Sequence, residues 1–194
     1  MTSTLQELLE MERVMIHRPS RMHGTGSLHG QGQKWWKMGC IQNKVGFVIL
    51  DSKNVHISGL TSMDSRKWHI SIERSSFVHA SKLNIKAPKD SPSTDGIRIE
   101  HSTNVTLASS IIKTGDDCIE IGDGSKYINI NRIFCGLGHG ISCPTHQRCN
   151  NHSTAVEISN ILYNDLKGTT NSEIAVEILC SESVPCKNIR MKDI

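Results

Sequence analysis

Short runs in which apolar and polar residues alternate recur along most of the chain. The clearest runs are rich in β-branched residues, often open with Asn, and lie at residues 54–57, 77–80, 104–107 and 127–130, with further copies expected at 155–158 and 188–191. Alternation with a period of two predicts β-strands, and the Gly, Asn, Asp or Ser residues between the runs predict turns.

The runs are spaced like the coils of a solenoid. Their apolar second positions follow one another at intervals of 23, 27, 23, 28 and 33 residues: Val55, Val78, Val105, Ile128, Val156 and Ile189. Repeats of this length, with two or three short strands each and no helical period between them, fit a parallel β-helix. Leucine-rich repeats need a consensus that is absent here, and propeller blades run to about 40 residues. The sequence therefore predicts an all-β, single-stranded parallel β-helix.

One segment near the start has a helical pattern instead. In residues 4–15, Leu5, Leu8, Leu9 and Met15 fall on one side. A short helix there is expected to cover the open first coil of the solenoid. We therefore treat residues 1–23 as an atypical N-terminal segment and assign residues 24–194 to the β-helix domain.

Composition narrows the choice of partner and compartment. The formal net charge of +3 is compatible with an acidic polymer, but the Lys/Arg clusters typical of nucleic-acid binding are absent. No stretch has the apolar pattern of a signal peptide or of a membrane span. Six of the seven cysteines form short local pairs, which predicts disulfides and an oxidising compartment. The pairs are Cys118/Cys135, Cys143/Cys149 and Cys180/Cys186, with Cys40 left as an unpaired thiol.

Three polar, Gly-rich segments, at 93–96, 115–118 and 138–140, carry the candidate chemistry. Asp95 and Asp116 are 21 residues apart, and Asp117 and His139 are 22 apart, each close to one coil. Coils stack at about 4.8 Å, so these side chains are expected on one face. Such close carboxyls cannot all ionise freely, and a protonated acid beside a carboxylate is what glycoside hydrolysis requires. The alternative is that the Asp residues only form turns.

These segments resemble signature segments of the polygalacturonases. Ser-Thr-Asp-Gly at 93–96 is similar to their Asn-Thr-Asp-Gly segment, Gly-Asp-Asp-Cys at 115–118 to their Asp-Asp segment, and Gly-His-Gly at 138–140 to their segment of the same sequence. The Gly-Gln-Gly…Trp-Trp pattern at 30–36 and the Cys…Val-Pro-Cys pattern at 180–186 extend the resemblance. It implies a right-handed, pectin-lyase-like β-helix that hydrolyses α-1,4-galacturonosyl linkages in pectin with inversion.

The resemblance also implies a role for each site residue. Asp116 is similar to the general acid that protonates the glycosidic oxygen, Asp95 and Asp117 to the pair that holds and deprotonates the attacking water, and His139 to the histidine that supports the acid and the substrate. It further implies no metal or organic cofactor, pectin as the partner, and a monomer secreted to the cell wall.

One part of the family pattern is missing. An Arg-x-Lys element, which grips the substrate carboxylate, and a Tyr are expected after Gly-His-Gly, but the chain runs directly into a Cys-Pro…Cys loop at 143–149. Coils are therefore expected to be missing between residues 142 and 143. Arg98 at 97–100 and Arg190 at 190–192 do not match the missing element, and Tyr127 and Tyr163 lie in other coils.

Three alternatives stay open at this point. The chain is either catalytic, or a catalytically silent β-helix that lacks the substrate grip, or a pectate lyase whose Asp cluster binds Ca²⁺. A metal knuckle formed by Cys143, His146, Cys149 and His152 competes with a local disulfide for the same cysteines.

Overall fold

The computed structural model of the chain describes residues 14–17, 19–37, 46–144, 157–170, 173–174, 176–180 and 184–194. Almost every regular element in these ranges is a short β-strand. The first are β1 (Val14–Ile16), β2 (Ser20–His23), β3 (Ser27–His29), the one-turn helix α1 (Gln33–Trp36), β4 (Phe47–Leu50), β5 (Lys53–Ser58), β6 (Thr61–Met63), β7 (Ile70–Glu73), β8 (Ser76–Ser81) and β9 (Asn84–Lys86). The later ones are β10 (Ile97–Glu100), β11 (Thr103–Lys113), β12 (Ile119–Ile121), β13 (Lys126–Gly136), β14 (Ile141–Pro144), β15 (Ser159–Gly168), β16 (Val176–Leu179) and β17 (Lys187–Lys192).

All the strand pairings among the described residues are parallel, and each of these strands pairs with its counterpart one coil away. One sheet has seven strands in the order β1-β4-β7-β10-β12-β14-β16, and a second has ten, with the main order β17-β15-β13-β11-β8-β5-β2. Strands β3, β6 and β9 continue the second sheet, because β11 pairs with β8 through its first half and with β9 through its last residues. This topology confirms the predicted parallel β-helix.

The interior is filled by ladders of aliphatic side chains, one rung per coil. Val55, Val78, Val105 and Ile128 are in register and almost fully buried. Each such burial contributes about 1.5–3 kcal/mol. The next position of this ladder differs from the sequence prediction, which placed a strand at 155–158. Residues 155–156 lie outside the described part, β15 begins at Ser159, and Ile161 takes the rung beside Ile128.

The residue just before each of these rungs has left-handed backbone geometry. Its φ lies between 52° and 58° at Asn54, Phe77, Asn104, Tyr127, Asn160 and Asn188. Asn tolerates this conformation better than most residues with a side chain, which explains why it opens so many of the runs. At the C-terminal end, the Asn188 amide donates to Asn160 Oδ1 over 2.6 Å, so the ladder also forms side-chain hydrogen bonds.

The beginning of the described chain differs from the prediction. Residues 4–13 of the expected helix lie outside the described part, but its last residues belong to β1, which pairs with β4. A helix over 14–15 is therefore wrong, because this backbone completes the sheet edge. Strand β2 also pairs with β5, so coil pairing extends before residue 24. None of the helices in the described ranges is long and apolar enough to cross a membrane.

The cysteines confirm two of the three predicted pairs. Disulfides join Cys118 to Cys135 and Cys180 to Cys186. The predicted Cys143/Cys149 pair is wrong, because Cys143 is a buried free thiol whose Sγ lies 3.2 Å from the Tyr163 hydroxyl. Burial raises the pKa of Cys143 to about 11, so the thiol is inert. It faces the core rather than its own loop, which gives the metal knuckle no support; His146, Cys149 and His152 lie outside the described residues.

Candidate active site

The four predicted site residues lie just before consecutive strands of the seven-stranded sheet. Asp95 precedes β10, Asp116 and Asp117 precede β12, and His139 precedes β14. The register pairs Ile97 with Ile119 and Ile119 with Ile141, a step of 22 residues. By this register Asp95 stacks on Asp117, and Asp117 on His139, while Asp116 stands one position earlier. The structure therefore brings all four residues together.

Asp116 and His139 form the most exposed part of this cluster. His139 Nδ1 lies 3.1 Å from Asp116 Oδ1, with side chains 54% and 32% exposed. The backbone N–H of His139 also donates to the Asp116 carbonyl oxygen over 3.2 Å. Asp116 Oδ1 accepts a further hydrogen bond, from the Asp117 backbone N–H at 3.0 Å. Asp116 is thus fixed from two coils while its side chain stays accessible from outside.

The two glycines that flank His139 are each required, but for different structural reasons. A Cβ atom at Gly138 would collide with the Asp116 carbonyl oxygen, so only glycine lets the coils come this close. Gly140 has a φ of 90°, a conformation that residues with a side chain rarely adopt. Together these glycines allow the backbone to bring His139 within hydrogen-bonding distance of Asp116.

Asp117 is the second carboxyl of the cluster and is more deeply placed. Burial raises its pKa to about 6, against the lowering effect of the Ser142 hydroxyl, which donates to Asp117 Oδ2. The Asp116 charge raises the pKa further and His139 lowers it. Asp117 is therefore mostly ionised at neutral pH.

Asp95 is the most deeply buried carboxyl of the cluster, and its pKa is raised further than that of Asp117. Only 6% of its surface is exposed, and burial, followed by the negative charge of Asp116 and the hydrogen bond with Glu120, raises its pKa to about 9. The prediction that one close-packed carboxyl stays protonated thus applies to Asp95. The resemblance implies that Asp95 and Asp117 together hold and deprotonate the attacking water, and of this pair Asp117 has the lower pKa.

Glu120 belongs to this site although none of the sequence motifs predicts it, and Arg98 lies beside it without matching the missing Arg-x-Lys element. Arg98 on β10 is paired in register with Glu120 on β12, and its Nε lies 3.2 Å from Glu120 Oε2. It also contacts Glu100, so its charge is already balanced and does not replace the missing Arg-x-Lys clamp. A signal was available, because each residue stands between two isoleucines, and they are one 22-residue step apart.

A parallel β-helix with carboxyl groups stacked on consecutive coils is the arrangement that the sequence motifs predict. The model of the glycosyl hydrolases family 28 matches residues 7–146 and 143–194, and the chain belongs to this family. This assignment favours hydrolysis over the pectate lyase alternative.

Individual relatives agree with the family assignment. An exopolygalacturonase of Arabidopsis thaliana is 26% identical over 239 residues, covering 88% of this chain and 57% of the relative. A probable polygalacturonase of the same plant is 31% identical over 240 residues, covering 89% and 52%. Among solved structures, a polygalacturonase from Erwinia carotovora has a TM-score of 0.67 and 25% identity, covering 94% of this chain and 54% of its own. An endo-xylogalacturonan hydrolase from Aspergillus tubingensis shares the fold, with a TM-score of 0.65 and 17% identity, covering 94% and 71%.

The alignments also show that this chain is shorter inside the matched region. It spans about half the length of the curated relatives it matches. The aligned regions, of 239 and 240 residues, are longer than the whole chain of 194, so these relatives carry internal segments that this chain lacks. The family match also divides into two parts that meet at residues 143–146. This fits the predicted loss of interior coils.

Proposed function

We propose that the chain hydrolyses α-1,4-galacturonosyl linkages in pectin by an inverting acid–base mechanism. The observation that carries this proposal is the stacking of Asp95, Asp116, Asp117 and His139 on consecutive coils. Family membership supplies the reaction type, and the names of the relatives supply the substrate class.

The geometry supports a different catalytic role for each of the three aspartates. Asp116 is accessible to a glycosidic oxygen, and we assign to it the transfer of a proton to that leaving oxygen, while His139 holds its carboxyl in place. Asp117, with a pKa of about 6, is ionised and takes a proton from the water that attacks the anomeric carbon on the opposite side. Asp95 stays protonated and holds the water through the carboxyl oxygen that is not hydrogen-bonded to Glu120.

The position of the water follows from the spacing of the carboxyls. One oxygen of Asp116 lies within 4.8 Å of one oxygen of Asp117. This is shorter than the roughly 6.5–9.5 Å of most inverting pairs, which leave room for water between acid and base. We therefore place the water between Asp95 and Asp117. The configuration of the released reducing end, followed by ¹H NMR, distinguishes inversion from retention.

The second candidate is a catalytically silent β-helix that binds pectin without cutting it. The missing segments favour this candidate, because Arg98 is neutralised by two glutamates and supplies no grip for a galacturonate carboxylate. Charge-assisted contacts of that kind position a substrate strongly, so their loss weakens both binding and catalysis. We place the missing coils between residues 142 and 143.

The test is release of reducing ends from polygalacturonic acid by the purified chain, in the presence of a chelator. Asp116→Asn is the catalytic variant, and Asp51→Asn is the matched control, because Asp51 is an exposed aspartate paired with Arg74 elsewhere on the solenoid. Activity that survives the chelator and Asp51→Asn but is lost in Asp116→Asn supports the hydrolase. A folded chain that binds polygalacturonate without releasing reducing ends supports the silent alternative.

The compartment is part of the same proposal. Two disulfides are stable only where conditions are oxidising, so we place the chain outside the cell, in the pectin-containing wall. We treat it as a monomer with pectin as its partner and with no metal or organic cofactor.

A further inference from the structure

Two aromatic residues interrupt the ladder of asparagines that opens the strands of the ten-stranded sheet. The left-handed position holds Asn in four coils, but Phe77 in one and Tyr127 in another, with φ of 55° and 57°. A bulky side chain is unfavourable in this conformation, whereas Asn is tolerated. Residues that break a local rule at a cost in stability point to a function when packing does not compensate for the cost.

Packing in the core does not explain these two rings. The side chains of Phe77 and Tyr127 are 50% and 57% exposed, while the interior is filled by the next residue of each strand, Val78 or Ile128. The chain therefore displays two aromatic rings on its outer surface and gains little burial from either.

The register fixes how far apart the two rings stand. Val78 pairs with Val105, and Val105 pairs with Ile128, so the residues just before them lie on three successive coils. Two steps of about 4.8 Å separate Phe77 from Tyr127, with the polar Asn104 between them. Single rings divided by an amide do not form the continuous apolar patch that is typical of a protein interface. They suit the C–H faces of successive sugar rings in a chain that runs along the solenoid axis.

A lysine accompanies each ring. Lys53 Nζ lies 5.7 Å from the centroid of the Phe77 ring. Lys126 directly precedes Tyr127 and is in register with Lys53, because Lys53 pairs with Ser76, Ser76 with Thr103 and Thr103 with Lys126. Cations at both ends of the row favour a polysaccharide that carries carboxylates over a neutral one.

We propose that Phe77 and Tyr127, together with Lys53 and Lys126, form a second binding surface for an acidic polysaccharide, outside the hydrolytic site. The inference rests on the proposed function for the identity of that polysaccharide as galacturonan. The surface is separate from the hydrolytic site because Asp117 lies before β12, whereas Tyr127 lies after it, at the start of the other sheet. It holds the polymer on the solenoid while the hydrolytic site acts on one linkage.

The test is the affinity for polygalacturonic acid, measured by isothermal titration calorimetry in chains that carry Asp116→Asn, so that the polymer is not cut. Adding Phe77→Asn and Tyr127→Asn is expected to weaken binding about tenfold, because two stacking contacts are lost. Phe134→Asn is the matched control. Its ring is also exposed and has a lysine, Lys113, with Nζ 5.5 Å from the centroid, but it lies in the second half of β13, off this row. The control is expected to leave the affinity unchanged.

Stability separates a binding role from a structural one. Because Asn accepts the left-handed conformation, the Phe77→Asn/Tyr127→Asn chain is expected to keep or raise the urea midpoint of unfolding. A clear fall in the midpoint would show that the rings are retained for packing and would overturn the inference. Equal affinities of this variant and its parent, an equal loss in Phe134→Asn, or equally tight binding of dextran, which has no carboxylates, would also overturn it.

Hydrolysis of trigalacturonate, measured with Asp116 intact, tests the proposed function independently. Its rate is expected to be the same with and without the two Asn substitutions. A chain that loses polymer affinity as expected but hydrolyses nothing supports this binding surface and refutes the proposed function. An active chain whose polymer affinity ignores both rings does the reverse.

Discussion

The Nδ1 atom of His139 lies 3.1 Å from the Oδ1 atom of Asp116, although 23 residues separate them in the chain. The contact exists because one coil of the solenoid brings residue 139 back beside residue 116, and because Gly138 permits the close approach of the two coils. Asp116 therefore has its orientation fixed by the neighbouring coil.

Removing this contact is expected to slow the reaction without unfolding the chain, because His139 is half exposed. His139→Ala should lower kcat by about 10²-fold, the cost of a small misplacement of a catalytic group. His139→Asn, whose amide can stand in for Nδ1, should recover part of the loss. Steady-state kinetics on polygalacturonic acid measure both. Equal rates for wild type and His139→Ala would show that Asp116 needs no support.

Ser142 is predicted to set the acid side of the pH profile. Its hydroxyl donates to Asp117 and lowers the pKa of that carboxyl, which is about 6 in the intact site. Ser142→Ala should raise the pKa and leave less ionised base near pH 6. A rise of one pH unit in this pKa should reduce activity there by up to about tenfold, with little change at higher pH. A pH–rate profile identical to wild type would contradict this.

His69 is predicted to make the fold sensitive to acid. It is fully buried, with Nδ1 2.8 Å from the Ser62 hydroxyl, and burial lowers its pKa to about 3. An unfolded His titrates near pH 6.5, so between these values the unfolded chain binds a proton that the folded chain does not. His69 therefore reduces the free energy of unfolding by about 1.4 kcal/mol per pH unit as pH falls from about 6.5 to 3.

Urea unfolding of wild type and His69→Gln at several pH values isolates this contribution. The buried Asp95, with its raised pKa, acts in the opposite direction, since its contribution is lost as pH rises from about 3.8 to about 9. Only the difference between the two chains therefore reports on His69. Parallel stability curves below pH 6 would contradict the assignment.

The Cys118–Cys135 disulfide is predicted to stabilise the coil that carries Asp116 and Asp117. It closes a loop with a sequence separation of 17 residues, for which the entropy model gives about 3 kcal/mol. Replacing both cysteines by Ala should lower the free energy of unfolding by about that amount, measured by urea denaturation. Reducing agent should then destabilise the double variant less than wild type. An unchanged urea midpoint would show that the β-sheet alone holds this coil.

The sequence predicted the coils well where each rung is an alternating run. At Val55, Val78, Val105 and Ile128 the apolar pattern of the sequence agrees with the register of the strands, because burial of every second residue requires regular alternation of apolar and polar residues. It failed at Val156, where the true rung is Ile161. Both segments contain alternating residues, and only pairing with β13 distinguishes them.

The spacing of cysteines in the chain predicted the disulfides less reliably than the apolar pattern predicted the coils. Proximity in the chain correctly gave Cys118–Cys135, but it also gave Cys143/Cys149, although Cys143 points into the core against Tyr163. Sequence separation does not tell which way a side chain on a strand faces. That direction depends on where the strand begins, and the strand boundary is fixed by its neighbours.

By itself, the sequence determined the solenoid, the location of the carboxyl cluster and the family resemblance. Apolar periodicity and short polar motifs depend only on residues that are close together in the chain. Only the tertiary structure decided how far the pKa values of Asp95 and Asp117 are raised. Asp95, Asp116 and Asp117 look alike in the chain, but burial and the contact with Glu120 raise the pKa of Asp95 the most. Burial and charge are properties of neighbouring coils, so they arise only when the coils stack.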